Sequence, residues 1–95
     1  MRRIIDLKVK EIVALLLSPH NGRGARYDKG NLVVELGRRM LLSGRFKIST
    51  ENRELAMNCL RRLTKSSGET GDLAKEWCKS FGISFGGPLP PIMHL

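Results

Sequence analysis

The chain predicts an all-α fold, a compact bundle of four to five short helices with a basic loop and a Pro/Gly-rich C-terminal tail. Three observations carry this reading. Apolar residues recur at three- and four-residue spacing in four separate segments. Clusters of glycine, proline and serine lie between and after those segments. The 95 residues, 41% hydrophobic and 27% charged, suffice for one small core and not for two. The organisation is therefore a single helical domain over 1–84 and a proline-rich tail over 85–95.

The first helix runs from Arg3 to Leu17, with Ile5, Val9, Ile12, Val13 and Leu16 on one face and Lys8, Lys10 and Glu11 elsewhere. Ser18-Pro19 ends it, because the residue before a proline is pushed out of the α region and proline brings no amide to continue the ladder. The stretch 18–30, SPHNGRGARYDKG, reads as a loop. The second helix is expected to start with Asn31 as its cap, with Leu32, Val33, Leu36 and Met40 inward and Glu35, Arg38 and Arg39 outward. Gly37 within it costs about 1 kcal/mol relative to alanine. Gly44 is the expected stop, and Arg45-Phe46-Lys47-Ile48 alternates as a short extended segment would.

Ser49 or Thr50 caps the third helix, whose first turn carries Glu51 and Glu54 at the positive end of the helix dipole. Its inner face reads Leu55, Ala56, Cys59, Leu60 and Leu63, and Arg53, Arg61 and Arg62 point away. After the polar linker 65–71, Thr70 or Asp72 starts a fourth helix with Leu73, Ala74, Trp77, Cys78 and Phe81. The Trp77 and Phe81 spacing of four is that of a buried stripe. Gly82 terminates this helix, and Ile83 folds back as the apolar contact beyond it.

Chemistry is scarce. His20 lies in the loop and His94 near the C-terminus, without the rigid support a general base requires. Cys59 and Cys78 fall on apolar helix faces as small buried hydrophobes, and two cysteines are too few for a disulfide scaffold. No catalytic set, metal cage or cofactor motif can be assembled, so the reading is non-enzymatic with no cofactor. No run of 18 apolar residues occurs, the longest being Ile12 to Leu17, so no membrane partner is expected. Asp6, Lys8, Lys10 and Glu11 interrupt what a signal core would need, which favours an intracellular setting.

Charge is the strongest functional feature. Seventeen Lys and Arg face nine Asp and Glu, a formal net charge of +8, and the preferred partner is therefore acidic. Residues 1–29 carry seven basic and three acidic side chains, 30–50 four and one, and 51–95 six and five. The docking surface is thus expected from the N-terminal helix, the loop with Arg23, Arg26, Tyr27 and Lys29, and the stretch with Arg38, Arg39, Arg45 and Lys47. Arg61 and Arg62 add a smaller patch. The loop holds a Gly-x-Gly but follows a helix and lacks a closing Gly-Lys-Ser/Thr, so it is no phosphate loop.

Leu60-Arg61-Arg62-Leu63-Thr64-Lys65-Ser66-Ser67, the helix Leu73-Ala74-Lys75-Glu76-Trp77-Cys78-Lys79-Ser80-Phe81 and the segment Phe46-Lys47-Ile48-Ser49 resemble the N-terminal domain family of the transcription elongation factor TFIIS, over roughly 30–82. The resemblance implies a non-enzymatic helical module of transcription machinery, nuclear, that docks short acidic and hydrophobic motifs, with Arg61, Arg62 and Lys65 as contact positions. Two functions follow as expectations: an interaction module that binds acidic partner segments through a basic surface, or a small basic DNA/RNA-binding regulator, as in viruses and phages, that grips phosphates with its arginine loop.

Overall fold

A computed structural model of the chain describes residues 3–18 and 27–85, with positions 45 and 46 given by their backbone alone. A 3₁₀ turn, Ile4–Asp6, leads into α1, Val9–Leu17. Then follow α2, Lys29–Leu41, a single turn α3, Ser43–Phe46, α4, Thr50–Leu63, and α5, Glu69–Phe81. The all-α bundle is as expected, and no strand occurs among the described residues.

Two helical hairpins make the bundle. In the first α1 packs on α2, in the second α4 packs on α5, and the hairpins stack with α4 beside α1 and α5 beside α2. α2 also meets α4 across the diagonal. Side-chain pairs fix the directions. Lys10 reaches Glu51 (3.8 Å), so the N-termini of α1 and α4 share one end. Lys29 reaches the carbonyl of Ser18 (2.8 Å), so the C-terminus of α1 and the N-terminus of α2 share the other. The core is one cluster, with Ile12, Val13, Leu16, Leu32, Val33, Leu36, Met40, Cys59, Leu60 and Cys78 fully buried.

The first helix does not start at Arg3. Ile4 to Lys8 form a turn and an extended step before α1, Ile5 is 50% exposed, and Leu7 is buried in its place. The cause lies 32 to 35 residues away: the carbonyls of Ile4, Ile5 and Leu7 accept from the Arg39 guanidinium. The amide of Lys8 donates to Glu11 (3.0 Å), which closes the first turn of α1.

Four further expectations differ from the structure. Asp28, not Asn31, caps α2: its carboxylate accepts from the Asn31 amide at 3.0 Å. Gly44 does not stop α2, which ends at Leu41. Arg45 to Ile48 is not an extended segment, because α3 adds a helical turn there and Lys47 ends it at φ 55° in the left-handed region. α5 starts at Glu69 with Gly68 as its cap residue, before Thr70 or Asp72.

Two caps agree with the sequence. Ser49 Oγ accepts from the Asn52 amide (3.2 Å). Gly82 takes φ 68°, its amide bonds Lys79 O (3.3 Å), and the Ile83 amide bonds Cys78 O (2.8 Å) with Ile83 buried, the doubly bonded glycine terminator. The proline-rich tail beyond Phe85 lies outside the described residues.

Candidate functional site

The basic residues expected to form one surface occupy opposite ends of the bundle. α2 separates them: from Lys29 to Arg38 a helix rises about 14 Å at about 1.5 Å per residue. Arg38, Arg39, Arg45 and Lys47 belong to the end where α2 finishes. Tyr27, Lys29, Arg61, Arg62 and Lys65 belong to the end where α2 and α5 begin and α4 finishes. Arg23 and Arg26 lie outside the described residues.

Arg39 leaves the surface altogether. The reading that placed it outward with Glu35 is corrected: the side chain is 8% exposed, donates to Glu35 Oε2 at 2.8 Å, and donates to the carbonyls of Ile4 (3.2 Å), Ile5 (2.9 Å) and Leu7. Glu35 is almost as buried and also meets Arg38 Nε at 3.4 Å. Arg39 is thus a clamp between α2 and the N-terminal turn. Arg38, one residue earlier and about 100° round the helix, stays exposed. Arg53 does not point away either, since it donates to Ser43 Oγ at 2.7 Å and ties α4 to α3.

At the second end, Lys29 is half-buried and holds Ser18 O, and Tyr27 is half-buried against the core. Arg61 is half-buried, with its Nε lacking an acceptor among the described residues. Arg62 and Lys65 are exposed, and no acidic side chain lies within 4.0 Å of either among the described residues. The acidic groups of this end are engaged locally: Asp28 caps α2, and Glu69 and Asp72 sit in the first turn of α5, whose dipole they complement.

Both thiols are buried, which favours their neutral form. Burial pushes Cys59 up to about 12, against the weaker opposite pull of Arg62 and Lys29, and burial likewise raises Cys78 against Arg61. The unfolded thiol ionises near 9.0, so stability is undiminished below pH 9 and falls as pH rises toward 12. Cys59 contributes a slope of up to about 1.4 kcal/mol per pH unit there. Urea unfolding across this range checks it: Cys59→Ala lowers stability throughout but flattens the slope, and an unchanged slope refutes the assignment. Among the described residues no three His, Cys, Asp or Glu side chains gather to hold a metal, and no helix is long and apolar enough to cross a membrane.

Periodicity missed a second surface. Val34 and Leu41 fall on the face of α2 opposite Leu32, Leu36 and Met40, and are 43% and 62% exposed. Trp77 and Phe81 beside them are only half-buried, with rings stacked at 5.5 Å and 11°. The sign available in the sequence is the i, i+7 apolar pair on an otherwise polar face. Comparison of the chain with family models, with curated proteins and with solved structures returns no match.

Proposed function

We propose that the protein is a non-enzymatic interaction module that binds an acidic segment of a partner at the end of the bundle where α4 finishes and α2 begins. The observation that carries this reading is the pair Arg62 and Lys65, exposed cations with no carboxylate within 4.0 Å among the described residues, at the same end of the bundle as Lys29. Exposed cations with no carboxylate in reach steer and hold an anion. The net charge of +8 acts in the same direction at longer range. Arg39 and Lys29 hold backbone carbonyls and position the elements instead of meeting the partner. The likeness of residues 30–82 to the TFIIS N-terminal domain family adds a setting in transcription, and with it a nuclear location, to the proposal.

The test is a fluorescence titration of a labelled Asp/Glu-rich peptide with apolar anchors, alongside DNA and RNA oligonucleotides, at about 50 and about 200 mM salt. Peptide binding is expected to weaken with salt. The double variant Arg62→Ala, Lys65→Ala is expected to lose about tenfold, two contacts of about 0.7 kcal/mol each. Parental affinity in that variant overturns the surface. Oligonucleotides that bind more tightly than the peptide, with a steep salt slope, replace the acidic protein segment by a phosphate backbone as the partner.

A further inference from the structure

The half-exposed apolar seam between α2 and α5 has a construction of its own. Two glycines on one flank of α2 seat two large side chains of α5: Leu73 packs beside Gly30, and the Trp77 indole lies directly on Gly37. The pairs advance together along both chains, so α2 and α5 run parallel with Gly37 level with Trp77. Val34 and Leu41, three residues before and four after Gly37, lie one turn to either side on the same face and bracket the indole's seat. Phe81 extends the apolar strip by stacking on Trp77.

The borders of the seam carry opposite charge. On the α2 side the exposed stripe is Asn31, Val34, Arg38 and Leu41, with Arg38 its single charge. On the α5 side the exposed residue next to Trp77 is Glu76, preceded by Glu69 two turns earlier, and neither has an ion-pair partner among the described residues. An acidic segment laid here meets repulsion from Glu76 and Glu69. An apolar surface with one basic and one acidic border is instead complementary to itself.

We infer that this seam binds a second copy of the chain, in a two-fold dimer whose axis runs parallel to α2 and α5. Such an axis lays α2 of one copy over α5 of the other without shifting either along its length. Arg38, one residue from the level of Gly37, then faces Glu76 of the partner subunit, one residue from the level of Trp77, and the pair forms twice. Val34, Leu41, Trp77 and Phe81 of both copies close the centre. A two-fold axis across the helices would lay α2 on α2 and set Arg38 against Arg38, which the like charges disfavour. The contact is small and both copies carry +8, so the dimer is weak and strengthens with salt as the mutual repulsion is screened. Acidic-peptide binding weakens with salt, so the two surfaces are told apart by the sign of that dependence.

Sedimentation equilibrium of the full chain between about 10 and about 500 μM, at about 50 and about 500 mM salt, tests the inference. The expected result is a reversible monomer–dimer equilibrium that tightens at the higher salt. Leu41→Glu, at a solvent-facing position that leaves the fold intact, abolishes association while the bound acidic peptide is unaffected. Arg38→Glu weakens association at least tenfold, and adding Glu76→Arg restores it. A parent that stays monomeric at the highest concentration and salt overturns the proposal. So does a dimer that Leu41→Glu does not touch, or a charge swap without rescue.

Discussion

Replacing Arg39 with methionine is expected to cost the fold about 3–5 kcal/mol, the range for removing one partner of a buried charge pair. The guanidinium is 8% exposed and makes four bonds, to Glu35 and to the carbonyls of Ile4, Ile5 and Leu7. Methionine fills much of the volume but leaves Glu35 buried, with only the longer contact to Arg38 at 3.4 Å. The three carbonyls must find water, so the N-terminal turn lifts and exposes Leu7, which is 4% exposed in the intact fold. Domains of this size are stable by about 5–15 kcal/mol, so the loss is a large share of the whole. Urea unfolding measures it, and native-state hydrogen exchange at the amides of Leu7 and Ile12 shows whether the turn opens first. Arg39→Lys keeps the charge but not the forked geometry, and is expected to lose about half as much. Arg38→Met, at the exposed neighbour, is expected to cost about 0.5 kcal/mol. A loss below about 1 kcal/mol for Arg39→Met would mean that the clamp is open in solution.

The same residue shows where reading from sequence stops. Arg38 and Arg39 are adjacent and chemically identical, and nothing local distinguishes them. A rotation of about 100° per residue points one at solvent and the other at the flank of α2 that the N-terminal turn covers. That turn in turn departs from the helix that its apolar spacing predicts, because its carbonyls are bonded by a side chain more than 30 residues away. Each of the two features depends on the other, so neither is visible alone.

Features set by neighbouring residues were legible. Ser49 caps α4 because a hydroxyl three residues before an amide needs no tertiary context, and Gly82 with Ile83 ends α5 for the same local reason. The inner faces of α1, α4 and α5 follow from periodicity, which counts burial on one side without saying what lies there. Where two residues offer the same local chemistry the choice is lost: Asp28 and Asn31 are both good caps, and the carboxylate took the role by bonding the other's amide. The candidate site suffers most, since charge summed along the chain is blind to the length of α2. Arg38 and Lys29 count toward the same excess but belong to opposite ends. The seam was hidden differently, because Trp77 and Phe81 have the spacing of core residues and are core on one side only.

Gly37 offers the sharpest contrast between helix propensity and packing. In an isolated helix, alanine for glycine is worth up to about 1 kcal/mol of stability. At position 37 the opposite sign is expected, because a Cβ there would occupy the space of the Trp77 indole. The ring can yield only outward, away from α2, which breaks its stack on Phe81 and uncovers the core beneath. Such overpacking costs about 1–3 kcal/mol, and a net loss of about 1–2 kcal/mol is expected for Gly37→Ala and about 3 kcal/mol for Gly37→Leu. Gly44→Ala is the matched control: the position is helical, nothing stands within 4 Å of the new Cβ, and the same substitution is expected to stabilise by up to about 1 kcal/mol. Trp77 is the single tryptophan, so its emission follows the ring directly. A red shift in native Gly37→Ala, absent from Gly44→Ala, locates the displacement at the seam. In a Trp77→Leu background the clash is gone, and Gly37→Ala is expected to turn neutral or stabilising. If it remains destabilising there, the penalty belongs to the backbone of α2 and not to the seat of the indole.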